Sequence, residues 1–129
     1  MQFKMIQPDD WHLHVRSGEA LKSVIGMTAA QMGRAIIMPN LTPPVTSALQ
    51  AQTYREEILQ ALPKDSNFDP LMVLYLTDNT SAADIESAAG SGFIKAAKLY
   101  PAGATTNSDS GVTDIKNIYS ALEAMSKAG

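Results

Sequence analysis

Short apolar runs alternate with longer amphipathic stretches along this chain, and that alternation restricts the fold more than any other feature. An apolar, β-branched run lies between Lys4 and Val15, broken by Pro8-Asp9-Asp10. Ser17 to Met32 then reads as a helix: Leu21, Val24, Ile25, Thr28 and Met32 share one face at helical period. Gly33 stands where helices commonly end. Arg34-Ala35-Ile36-Ile37-Met38 is a short, mostly apolar run, which predicts a strand buried on both faces. Pro39, Pro43 and Pro44 make the stretch after it a loop.

The pattern then recurs. Ser47 is placed to cap a second helix with Ala51, Tyr54, Ile58 and Leu62 on one face and Pro63 past its end. Leu71 to Leu76 predicts a third strand. Ser81 and Asp84 make a capping-box pattern, with Asp where Glu or Gln is usual, opening a short helix that closes at Gly90 or Gly92. Phe93 to Leu99 predicts a fourth strand. Thr113 is expected to cap a fourth helix with Ile115, Ile118, Tyr119, Leu122 and Met125 on its inner face, ending at Gly129.

Four consecutive βα units follow, which means an α/β fold with parallel strands and right-handed crossovers. Such a run forms an open doubly wound sheet or part of an eight-stranded barrel, and periodicity does not choose between them. A complete barrel needs at least ~200 residues, so these 129 residues, one unit, would be only half of one.

Charge and cysteine content remove several function classes. Ten Lys and Arg against 13 Asp and Glu give a formal charge of −3, with no basic cluster of the kind a nucleic-acid surface needs. The absence of cysteine excludes a disulfide scaffold and a thiolate-ligated zinc site. No apolar run approaches the ~18 residues of a membrane span. Met1-Gln2-Phe3-Lys4 lacks the apolar segment of a secretion signal, so a cytoplasmic location is expected.

Residues able to do chemistry gather at predicted strand ends. His12 and His14 are the only histidines, in Asp10-Trp11-His12-Leu13-His14-Val15-Arg16. Strand alternation puts His12, His14 and Arg16 on one face and turns Trp11, Leu13 and Val15 toward the packing helices. Two imidazoles so spaced can converge on one cation; equally, they can be two hydrogen-bonded structural histidines, because a metal site usually needs three ligands or more. Lys98 ends the fourth strand, where alternation groups it with Ile94 and Ala96 and puts Lys95 opposite. A desolvated lysine becomes reactive as a free amine and can add carbon dioxide, giving a carbamate with two metal-binding oxygens. The alternative is a lysine that reaches out to solvent.

Three segments in order resemble the bacterial-type dihydroorotases of the amidohydrolase superfamily. They are Asp10-Trp11-His12-Leu13-His14-Val15-Arg16, Ala35-Ile36-Ile37-Met38-Pro39-Asn40-Leu41-Thr42-Pro43-Pro44-Val45, and Ala96-Ala97-Lys98-Leu99-Tyr100-Pro101-Ala102-Gly103-Ala104-Thr105-Thr106-Asn107-Ser108. The resemblance implies a (β/α)8 barrel, of which residues 1–129 would be the first half, with two zinc ions at the C-terminal ends of its strands, interconverting dihydroorotate and N-carbamoyl-aspartate in pyrimidine synthesis. It makes His12 and His14 ligands of the more buried zinc and Lys98 the carboxylated lysine that bridges both metals. It assigns Arg16 and Asn40 to the substrate carboxylate, and Thr105 and Thr106 to a loop that closes over substrate. The composition of residues 101–112, rich in Gly, Ser, Thr and Asn between strand and helix, independently suits such a loop. The full family enzyme is expected to be a homodimer acting on a small molecule.

No histidine follows His14, so the remaining histidine ligands and the acid–base aspartate that the resemblance implies are not in these 129 residues. The chain alone is therefore expected to be inactive. Its first and fourth strands would present open edges, favouring dimerisation, aggregation or loose packing. Two other readings remain: a related cyclic amidohydrolase of the dihydropyrimidinase or hydantoinase type, and a non-catalytic α/β module.

Overall fold

Strands and helices alternate along residues 1–129, all of which the computed structural model describes. The order is β1 (Asp9–Leu13), α1 (Gly18–Ala29), β2 (Arg34–Ile37), α2 (Ala48–Ala61), β3 (Asp69–Leu76), α3 (Ala82–Gly90), β4 (Ile94–Leu99), a 3₁₀ turn (Ile115–Ile118) and α4 (Tyr119–Ala128). The strands form one parallel sheet in the order β1-β2-β3-β4. Sequential neighbours joined by helices are what repeated βα units dictate.

Each helix covers the same face of the sheet. Ala35 and Ile37 of β2, Met72, Leu74 and Leu76 of β3, and Ile94 of β4 join Leu21, Ile25, Ala51, Ile58, Ile85, Ala88, Ala121 and Ala124 in one core. β3 is buried along nearly its whole length. β2 differs from expectation: Arg34 is exposed and Ile36 only half-buried, so its second face is partly open.

Local signals explain the helix ends. Ser47 and Gln50 form a complete capping box at α2, and Ser81 and Asp84 do the same at α3. The hydrogen bonds from Ser81 to the Asp84 carboxylate hold it below the usual carboxylate range. At α1, Ser17 makes no side-chain cap; the Glu57 carboxylate instead accepts from the Gly18 amide at 2.7 Å. α1 also ends before Met32, although Met32 still packs on the core.

Three readings from alternation and period are corrected. Trp11 does not face the helices: it is 61% exposed, with the Arg34 guanidinium 5.8 Å from its ring centre. The register shift between Asp10 and Leu13 breaks the alternation there. Leu13 and Val15 do pack on the helix side. A second shift, between Met72 and Val73 where they pair with β4, separates Ile94 from the face of Lys98: Ile94 lies in the helix-side core, whereas Lys98 pairs with Tyr75. In the last unit Thr113 does not cap a helix. Its amide and hydroxyl both donate to Asp78, and Asp114 caps the 3₁₀ turn through the Lys116 amide. The tighter 3₁₀ winding changes the phase of the face, so Ile118, Ala121 and Ala124 are buried while Ile115 and Tyr119 are exposed.

Candidate metal centre

His12 is the penultimate residue of β1 and His14 lies just beyond its end. Their ring centres are 5.1 Å apart and the two Nε2 atoms 3.1 Å apart. The Asp10 carboxylate accepts from the His12 amide at 2.9 Å and steadies the bulged backbone. Two imidazole nitrogens on one tetrahedral zinc, each about 2.0–2.1 Å from it, stand about 3.3 Å apart. The pair therefore fits a shared zinc by the positions of its own nitrogens. No group of three or more His, Asp or Glu side chains able to hold a metal occurs in the chain, so these residues fit as part of a ligand set.

Lys98 stands near the C-terminal end of β4, at the same end of the sheet. Its β4 position pairs with Tyr75, and its Nζ lies 5.7 Å from the centre of the Tyr100 ring, which stacks on Tyr75 at 5.0 Å. Its charge also reaches His14. Desolvation first, then the positive charges of Arg16, His12 and Lys98, lower the His14 pKa. The ring thus favours its neutral form, which is the form that binds a metal.

Asn40 follows β2 at this end of the sheet and is buried at 3% exposure. Its Nδ2 donates to the Thr106 carbonyl at 3.0 Å, and its own carbonyl accepts from Arg16 at 3.3 Å and from Asn107 Nδ2 at 3.0 Å. Asn40 Oδ1 and the Tyr100 hydroxyl are buried without a hydrogen-bond partner, two polar atoms at this end of the sheet that a bound group could satisfy. Arg16 has φ +60°, an uncommon conformation for a side-chain-bearing residue. The Tyr54 hydroxyl of α2 donates to its carbonyl at 2.6 Å. Burial pushes the Tyr54 phenol well above its ordinary pKa, so it stays a donor.

The loop of residues 101–112 folds back over this end of the sheet. Val112 donates to Tyr100 and Ala102 to Val112, closing its neck, and the buried Ser108 hydroxyl bonds both the amide and the carbonyl of Thr105. Thr105 and Thr106 are exposed at its tip. The residues singled out in the sequence thus come together at the C-terminal ends of β1, β2 and β4. Tyr54 and Asn107 were not among them. Tyr54 reads as one more core residue of a helix face; Asn107 carries a faint signal, since Asn tolerates left-handed turns.

The sequence profile of the amidohydrolase family matches residues 5–128. The chain belongs to the amidohydrolase family. Among its relatives, dihydroorotase of Ralstonia pickettii is 62% identical over 125 residues, covering 97% of this chain and 36% of that protein. Dihydroorotase of Cupriavidus necator is 64% identical over 123 residues, covering 95% and 36%. Two solved structures superpose on this amidohydrolase chain with TM-scores of 0.85. They are dihydroorotase of Campylobacter jejuni, at 40% identity over 95% of this chain and 36% of its own, and dihydroorotase of Saccharomyces cerevisiae in complex with 5-fluoroorotic acid, at 34% over 94% and 33%. The chain thus spans about a third of the length of the relatives it matches, and its four βα units are a partial (β/α)8 barrel. No helix is long and apolar enough to cross a membrane.

Proposed function

We propose that residues 1–129 form the N-terminal half-barrel of a cytoplasmic, homodimeric dihydroorotase, which opens the cyclic amide of dihydroorotate to N-carbamoyl-aspartate and closes it again in pyrimidine synthesis. The observation that carries this reading is the meeting of His12 and His14 Nε2 at 3.1 Å, at the end of the sheet where Arg16 bonds the Asn40 carbonyl and β4 ends in Lys98-Leu99. Identity above 60% to proteins named dihydroorotase supports the choice among cyclic amidohydrolases.

In this reading His12 and His14 would hold zinc, and Lys98, whose free amine would add carbon dioxide and release a proton, would supply two carbamate oxygens as further metal ligands. Zinc bound there supplies Lewis acidity and lowers the pKa of water to about 7. The chain's own residues bind and orient. Arg16 offers a planar fork to the substrate carboxylate, with only one short contact of its own to the Asn40 carbonyl. Asn40 Nδ2 keeps a second hydrogen beyond the one given to Thr106. Thr105 and Thr106 present hydroxyls from the loop, whose closure excludes water. The remaining ligands and the proton carrier come from outside these residues, so the 129-residue chain by itself does not turn over substrate.

The test is a chimera in which this chain replaces the matching part of the R. pickettii dihydroorotase. The expected result is zinc-dependent hydrolysis of dihydroorotate, lost in Lys98→Ala and in His12→Ala. A folded chimera that binds zinc but leaves dihydroorotate intact would overturn the proposal.

A further inference from the structure

We propose that Asn107 is the latch that holds the Thr105–Thr106 loop against the barrel wall, and so a positioning residue of the candidate site. The bonds within the loop do not fix where it lies: its neck bonds to itself, and Ser108 bonds Thr105 and Gly103. The ties to the wall are made by two adjacent residues. Thr106 contributes only its carbonyl, to Asn40 Nδ2 at 3.0 Å. Asn107 contributes twice: its Nδ2 donates to the Asn40 carbonyl at 3.0 Å, and its carbonyl accepts from the Tyr75 hydroxyl at 3.2 Å.

The conformation of Asn107 makes this geometry possible. Its φ of +54° turns the side chain back toward β2, and Asn is among the few residues that adopt this region readily. The hydroxyls of Thr105 and Thr106 take no part in these ties. The loop is therefore held through Asn107 and backbone atoms, leaving the threonine hydroxyls for a ligand. The Asn40 carbonyl receives both Asn107 and Arg16, so the latch closes onto the residue that also locates the guanidinium.

Two variants isolate the donor. Asn107→Gly keeps the left-handed backbone open and removes the side-chain amide. Asn107→Asp keeps shape and backbone preference but sets a carboxylate against the Asn40 carbonyl. In the 129-residue chain, exchange of the Asn40 side-chain amide protons, followed by nuclear magnetic resonance, is expected to speed up about fivefold in Asn107→Gly, the factor one net hydrogen bond controls. The rise should be larger in Asn107→Asp, with amides of β3 unchanged in both. Unchanged Asn40 exchange in Asn107→Gly overturns the latch, whatever reaction the protein performs. The positioning role rests on the dihydroorotase reading and is tested in the chimera, where KM for dihydroorotate should rise about fivefold in Asn107→Gly with a smaller change in kcat. Faster exchange with unaltered kinetics overturns the positioning role. An inactive parent chimera overturns the dihydroorotase reading and leaves the exchange result to decide the latch.

Discussion

Gly111→Ala should release the loop at its neck. A β-carbon at this position would stand 2.3 Å from the Tyr100 carbonyl oxygen, 2.9 Å from that of Ser108 and 3.0 Å from the Ala102 nitrogen. All three are backbone atoms, so no side chain can turn aside. The same atoms make the neck: Val112 donates to Tyr100 at 2.8 Å, Ala102 to Val112 at 3.0 Å and Gly111 to Ser108 at 2.9 Å. Losing three such bonds at about 1 kcal/mol each costs about 3 kcal/mol. For a chain of this size that corresponds to a fall in Tm of about 10 °C. Thermal unfolding by circular dichroism measures it, with Gly103→Ala as the comparison. Gly103 has φ +71° but nothing within 4 Å of an added methyl, so it bears only backbone strain of about 1 kcal/mol. If Gly111→Ala melts with the wild type, or no lower than Gly103→Ala, the steric reasoning is wrong.

Other substitutions test other parts of the arrangement. Tyr54→Phe removes the donor to the Arg16 carbonyl and should destabilise the chain by about 1 kcal/mol in urea titrations, the net worth of one part-buried hydrogen bond; an unaltered midpoint would refute that role. Asp84 has a depressed pKa when folded, so its contribution is present above the unfolded value of 3.8 and is lost as pH falls through the lower folded value. Melting measured from pH 6 down to 2 should therefore show a shallower acid limb in Asp84→Asn. Calorimetric titration with zinc should give one site per chain that disappears in both His12→Ala and His14→Ala; binding that survives both changes would place the metal elsewhere.

Where a residue's environment is set by its own segment, the sequence already shows it. Ser47 and Ser81 cap helices because the partners, Gln50 and Asp84, are three residues away. The order of βα units, and with it the gathering of His12, His14, Arg16, Asn40 and Lys98 at one end of the sheet, follows from apolar patterning and the strand-end rule. Facing failed wherever a bulge intervened, at Trp11 and Ile94, because one extra residue inverts alternation and has no signature in composition. The fourth helix slipped in phase because 3₁₀ winding at Ile115–Ile118 is a choice made by the Asp78 and Asp114 contacts. Asn107 was hidden for the same reason: its partners, Asn40 and Tyr75, are distant in sequence and near only in the fold.

Helix α2 belongs to the outer layer, yet two of its side chains, one turn apart, grip the bend that follows β1. Tyr54 holds the carbonyl of Arg16 and Glu57 the amide of Gly18, residues that both have positive φ. A sideways slip of this helix would carry the guanidinium with it. Surface-layer substitutions under α2, far from any reacting atom, would then register as weakened anion affinity before they registered as unfolding.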